Sequence, residues 1–260
     1  MRSAQFKKKI QWRWKLKVGR IFGIDIYLDF SWFLALIFFG FVFQRIFVQA
    51  LPGISLALSW ALGILAVLVL FASVLFHELS HSLVAKRYKL PIPRITLLLF
   101  GGIAHSEKEP ESPGAEFKIT IAGPLSSFFL AGLFFSLFRL VSNYPLHFIG
   151  LEHFLCLKQF LEVMLWVNLM LGIFNLLPGF PMDGGRLLRA ILWKTTRSFS
   201  KATKWAAGVG QFFGALVFVF GVLNIFVFKS FGGFWLVFIG LLIILGARAS
   251  YKQVSKTNPN

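Results

Sequence analysis

The stretch ISLALSWALGILAVLVLFASVLFHELSH, residues 54–81, carries two messages at once. From Ile54 to Phe76 it holds no charged residue, and at about 1.5 Å per helical residue it is long enough to cross the roughly 30 Å hydrocarbon core of a bilayer. It then ends on His77-Glu78-Leu79-Ser80-His81, a titratable cluster where a carboxylate costs up to about 2.5–3.5 kcal/mol to bury. On a helix, residues four apart lie about 40° apart around the axis, so His77 and His81 present two imidazoles on one face. Glu78 is offset by one step, near enough to reach a metal-bound water without being a ligand. This is the arrangement in which two histidines bind zinc and a glutamate serves as general base. Simple core packing of two histidines would not call for a carboxylate beside them.

Working outward, the rest of the chain reads as membrane protein. Of its 260 residues 57% are apolar and only 14% charged, too little polar surface for a soluble domain. Five further apolar stretches accompany Ile54–Phe76: Asp29–Val48, Ile119–Phe138, Val163–Met182, Ala206–Phe228 and Ser230–Ala247. The expected fold is an all-α polytopic membrane protein of about six transmembrane helices. Residues 26–249 form the membrane domain, 1–25 a basic interfacial segment that includes Trp12 and Trp14, and 250–260 a short cytoplasmic tail.

The net charge of +17 fits topology better than nucleic-acid binding. With the N-terminus in the cytoplasm, the inside segments 1–25, 85–119, 186–204 and 248–260 hold 23 of the 27 Lys and Arg. That is the positive-inside pattern, with both termini cytoplasmic and the bilayer as the partner. Cys156 is the only cysteine, which excludes an internal disulfide and a thiolate zinc cluster.

Two segments break the helical pattern. In Leu90–Pro113, Pro91 and Pro93 disfavour helix, and Ile95–Phe100, Gly101-Gly102 and Ile103–Ser106 read as a short membrane-associated β-hairpin. In Asn175–Arg186, two prolines and three glycines interrupt an apolar span. A broken helix at membrane depth is tolerated where it is buried in protein or lines a site.

A catalytic zinc takes three protein ligands and one open position. The other carboxylates lie before the first span, in loops or at the outer side, with Glu107, Glu109, Glu111 and Glu116 assigned to the inner loop. Asp183, in the broken span, is the candidate third ligand; the competing reading is that it caps the helix starting near Gly184. Asn168 and Asn175 are candidates to hold an oxyanion or substrate backbone, or else to hydrogen-bond the broken helix. His105, His147 and His153 read as solvated or interfacial.

His77–His81, Phe100-Gly101-Gly102, Ala122-Gly123-Pro124, Asn168, Phe174–Pro178 and Pro181–Arg186 together resemble the site-2 protease family of intramembrane zinc metalloproteases, over roughly residues 20 to 195. The resemblance implies His77, His81 and Asp183 as ligands of one zinc ion, Glu78 as catalytic base, and cleavage of transmembrane or membrane-anchored substrates near the cytoplasmic leaflet of a prokaryotic cell membrane. Met182 departs from the leucine more usual before the aspartate. Many relatives carry a PDZ insertion or paired CBS domains; neither is expected here, so recruitment or regulation would fall to a separate protein. A substrate helix must unwind before attack, and an open hairpin edge at Gly101, Gly102, Ile103 and Ala104 could accept it as an added strand. A zinc transporter is the rival reading, but transport needs ligands along several spans. A non-catalytic scaffold has no need of Glu78.

Overall fold

The computed structural model describes residues 15–99, 101–106, 108–144 and 150–257, with the side chains after Lys252 left out. Trp12, Trp14, Phe100 and His147 lie outside the described residues. Seven helices and four strands are present among the described residues: β1 (Lys15–Ile21), β2 (Ile24–Asp29), α1 (Ser31–Ala50), α2 (Leu56–Arg87), β3 (Arg94–Leu98), β4 (Gly101–His105), α3 (Pro113–Asn143), α4 (Leu151–Asn175), α5 (Asp183–Thr196), α6 (Phe199–Phe226) and α7 (Gly232–Thr257). All but α5 are long and apolar enough to cross a membrane, which matches the six spans expected.

The chain forms two compact units. The first comprises residues 1–109 and 125–171, the second 110–124 and 172–260.

In the first unit the expected hairpin is half of a four-stranded sheet, ordered β1-β2-β3-β4. β1 and β2 are antiparallel around a turn at Phe22-Gly23, both with positive φ, the geometry that suits a two-residue hairpin loop. β2 and β3 run parallel, Ile26 opposite Ile95, and the crossover between them contains the two spans α1 and α2. β3 and β4 are antiparallel, with Leu97 opposite Gly102 and Ile95 opposite Ala104. Ile24, Ile26, Ile95 and Leu97 are buried and anchor the sheet. The basic segment expected at 1–25 thus supplies one strand and the start of another. Its apolar residues, such as Leu16 and Val18, alternate with charges but are exposed, so the periodicity carried no burial signal.

α2 begins at a side-chain cap, Ser55 Oγ accepting from Leu58 N, and ends with Lys86 and Arg87 in its last turn, where cations oppose the negative helix end. The Lys86 ammonium donates to the Phe22 carbonyl at 2.5 Å, tying the β1–β2 turn to the end of α2. Near its other end a buried Gln44–Ser59 hydrogen bond, 3.2 Å, joins α2 to α1.

In the second unit the expected break is real: α4 ends at Asn175, residues 176–182 are turns, and α5 starts at Asp183. The polar tail expected at 250–260 continues α7 as helix to Thr257. Its polar residues had no apolar period to mark a helix.

Candidate metal centre

His77 and His81 lie in the last third of α2 and are both buried, 4% and 6% exposed. Their Nε2 atoms face each other at 3.1 Å. Behind His77, Nδ1 lies 2.9 Å from Ser127 Oγ of α3. With Nδ1 protonated and donating to that hydroxyl, the lone pair of His77 sits on Nε2, facing its neighbour. With His81 also protonated on Nδ1, both Nε2 lone pairs would be available to one cation between the rings. Two nitrogens on one tetrahedral zinc, each at about 2.0–2.1 Å, are about 3.3 Å apart, so the pair fits that ion. Orientation of a ligating histidine by a hydrogen bond to its other nitrogen is the usual support for such a site. Ser127 makes such a contact to His77, and the sequence reading did not single it out; its position after Ala122-Gly123-Pro124 was the available signal.

Glu78 turns from the same helical stretch toward the sheet. A Cβ built on Gly102 would come 2.5 Å from Glu78 Cγ and 3.3 Å from its Oε1. The second glycine of the Gly-Gly pair is therefore the surface on which the carboxylate arm rests. Gly101, with φ +137°, has a conformation open to glycine and open space where a side chain would be. Ile103, 51% exposed, and Ala104 follow on β4, which pairs only with β3 among the described residues. A cavity of about 380 Å³ opens beside this strand, lined by Ser31, Leu98, Leu99, Gly101, Gly102 and Ile103. Ser31 Oγ accepts from Leu99 N at 3.2 Å and fixes the start of the β3–β4 turn to α1.

Asn168 is fully buried on α4, and its amide Nδ2 donates to Met164 O one turn back, 2.9 Å. That is the helix-bonding reading. Its Oδ1 is buried without a partner among the described residues. Asn175 is the last residue of α4, at the break itself. His153 lies on α4, and His105 ends β4 opposite Arg94.

In the second unit Asp183 is the first helical residue of α5, half-buried. The cap position belongs to Met182, and no side chain caps the helix. The competing capping role for Asp183 is therefore not the one the backbone assigns. The two glycines after it allow the preceding loop to fold onto the first turn of α5: a Cβ on Gly184 would meet Leu177 O at 2.1 Å, and one on Gly185 would meet Gly179 C at 2.3 Å.

The same unit holds an ion pair whose carboxylate, Glu116, sequence reasoning placed in a loop. Glu116 is not a loop carboxylate; it lies in the first turn of α3, fully buried. It accepts from Arg189 Nε of α5 at 2.8 Å and also from its Nη2. The Arg189 guanidinium is stacked over Phe199 at 4.4 Å and over Phe180 at 5.2 Å. Arg189 recurs six residues after Asp183, but neither residue has a local pattern that announces a partner 73 positions away.

Comparison with known proteins shows the family. The model of Peptidase family M50 matches residues 65–219, which include most of α2, with β3, β4 and the break before α5. A protein of Synechocystis sp., provisionally named as a zinc metalloprotease, is 37% identical over 92% of this chain and 60% of its own length. A zinc metalloprotease of Methanocaldococcus jannaschii is 33% identical over 93% of this chain and 62% of its own. The chain thus spans about three fifths of the curated relatives it matches. The solved site-2 protease from Methanocaldococcus jannaschii superposes with a TM-score of 0.58 at 33% identity, covering 92% of this chain and 95% of that one. With its spans, its histidine pair and its glycine-supported glutamate, this integral membrane chain belongs to peptidase family M50, the site-2 protease family.

Proposed function

We propose that the protein is a zinc endopeptidase that hydrolyses peptide bonds of transmembrane or membrane-anchored proteins near the cytoplasmic leaflet, as a step of regulated intramembrane proteolysis. His77, His81 and Asp183 hold one zinc per chain, and Glu78 is the base. The protease domain is residues 26–249, with both termini on the cytoplasmic side of a prokaryotic cell membrane. The observation that carries the reading is the buried histidine pair, braced by Ser127, with Glu78 laid against the edge strand of a sheet.

Bound zinc supplies Lewis acidity, drawing the pKa of a water toward 7 and polarising the scissile carbonyl. The protein's own residues do the rest. Glu78 accepts the proton of the attacking water on its carboxylate and delivers it to the leaving amine nitrogen. β4 offers backbone groups at Gly102 and Ala104 to an unwound substrate segment, which adds as a strand and so brings its peptide bonds past Glu78. Gly101 and Ile103 border that path. Asn175, at the break, and Asn168, through its unpartnered Oδ1, are the candidate amides to hold substrate backbone, with bonding of the broken helix as the alternative.

The test is a pair of substitutions in the purified chain. Glu78→Gln retains zinc and loses cleavage of a single-span substrate, because it removes the proton acceptor and no ligand. Asp183→Ala loses zinc and activity together. Undiminished cleavage by Glu78→Gln, or full zinc content in folded Asp183→Ala, overturns the assignment.

A further inference from the structure

The loop that ends at Asp183 is shaped less by its own sequence than by the helices that follow it. Phe180 is 5% exposed and packs in a slot with Ala206 and Ala207 of α6 and Ala247 of α7. The residues on either side leave no room for adjustment. A Cβ on Gly179 would come 2.5 Å from Gly210 Cα, and a Cβ on Gly210 of α6 would come 2.2 Å from Phe180 O. A Cβ on Gly246 of α7 would come 2.9 Å from Pro181 Cγ. Backbone of α6 therefore lies directly against the backbone of residues 179–180, and α7 against the ring of Pro181. On the remaining side the guanidinium of Arg189, buried and neutralised by Glu116, stacks over Phe180.

We infer that α6 and α7 position Asp183, and that Gly210 and Gly246 are positioning residues for the metal ligand set. This rests on the reading of Asp183 as a zinc ligand. The physical argument is one of tolerance. A ligand oxygen must be held within a few tenths of an ångström for its bond to zinc to form at full strength, and a loop of turns cannot hold one there without external walls. Asp183 is three residues beyond Phe180, and Gly185 closes the loop onto α5. A displacement of Phe180 or Pro181 is thus delivered to Asp183 through a short, tightly packed path. Close packing of α6 and α7 against each other is a separate matter. It is mediated further along by Gly214, where the atoms nearest an added Cβ all belong to α7: Ile244 Cγ1 at 2.8 Å, then Gly240 O and Ile244 N at 3.0 Å.

That separation provides the test. Full-length protein in detergent is stripped of metal, and zinc affinity is measured by competition with a chromophoric chelator. Cobalt(II) is then substituted and its visible spectrum recorded as a signature of the ligand geometry. Gly210→Ala pushes on Phe180 O; Gly214→Ala loosens α6 against α7 without touching the loop; Gly208→Ala, whose added Cβ meets nothing within 4 Å, is the neutral control. The expected result is zinc affinity weakened about tenfold or more in Gly210→Ala, within the range for loss of an orienting contact, with an altered cobalt spectrum. Gly214→Ala should lower the unfolding temperature and keep both zinc affinity and spectrum; Gly208→Ala should change neither. If Gly210→Ala does not accumulate folded, Gly246→Ala, which presses on the movable Pro181 ring, carries the same test. Wild-type affinity in Gly210→Ala beside lost affinity in Asp183→Ala overturns the positioning role alone. Equal weakening in Gly214→Ala also overturns it, since the effect would then be general loosening. Wild-type affinity in Asp183→Ala overturns the ligand reading on which the inference stands.

Discussion

Gly102 and Glu78 occupy adjoining space so closely that a single methyl on the glycine would fall 2.5 Å from the Cγ of the glutamate. Strand β4 and the proposed base are thereby one packed unit. Gly102→Ala should leave zinc content unchanged, because neither histidine is touched, and should reduce cleavage by about 100-fold through an ångström-scale displacement of the carboxylate. Cleavage rate and metal content measured on one preparation check this. A small effect on rate would mean that Glu78 reaches its working position by another rotamer.

Ser127 holds Nδ1 of His77 at 2.9 Å. Ser127→Ala should weaken zinc binding by about 10- to 100-fold while the fold persists. Chelator competition measures it. Unchanged affinity would show that packing alone orients the ring.

Strand addition is tested on β4. With Leu98 facing Gly101 across the turn, antiparallel alternation directs the backbone of Thr96 and Ile103 toward each other and that of Gly102 and Ala104 away from β3. Proline at Ala104 removes an outward donor and should cut cleavage about tenfold or more with zinc retained. Proline at Ile103 removes a donor within the β3–β4 ladder, so it should lower stability as well. Alanine at Ile103 keeps the donor and should do little. Equal losses from Ile103→Ala and Ala104→Pro would indicate packing rather than pairing.

The pH response of the same strand follows from His105. Burial, and then the charges of Arg94 opposite it and of Lys15, hold its pKa below the ordinary 6.5. A base whose folded pKa is depressed binds protons more readily when unfolded. Stability therefore rises with pH between the folded value and 6.5, and is lost as pH falls below 6.5. Hydrogen exchange of β4 amides, corrected for intrinsic rates, should show more frequent opening at pH 5.5 than at pH 7.5. His105→Gln should flatten that difference; a difference that survives the substitution would place its origin elsewhere.

The membrane spans were legible because hydrophobic length is a direct consequence of bilayer thickness, and the break at Asn175–Arg186 because proline and glycine act locally. The histidine pair and Glu78 were legible because helical spacing alone places them. Strands β1 and β2 were not: the side chains of β1 are largely exposed, and β2 finds its partner β3 only across two intervening spans. The Glu116–Arg189 pair was hidden for a related reason. A buried charge is recognised by its partner, and the partner here is brought up only by tertiary folding.

The length of α2 would set where the proposed chemistry acts. His77 stands 21 residues after Leu56, about 32 Å along the axis, which is close to the roughly 30 Å depth of the hydrocarbon layer. With Leu56 at one boundary, the histidines stand at the other. On the proposed reading the helix is in effect a ruler laid across the bilayer, and membrane thickness as much as side-chain identity would set which bond comes within reach of Glu78. A thicker or thinner lipid phase would slide a given substrate along that ruler and bring a different peptide bond to the same carboxylate.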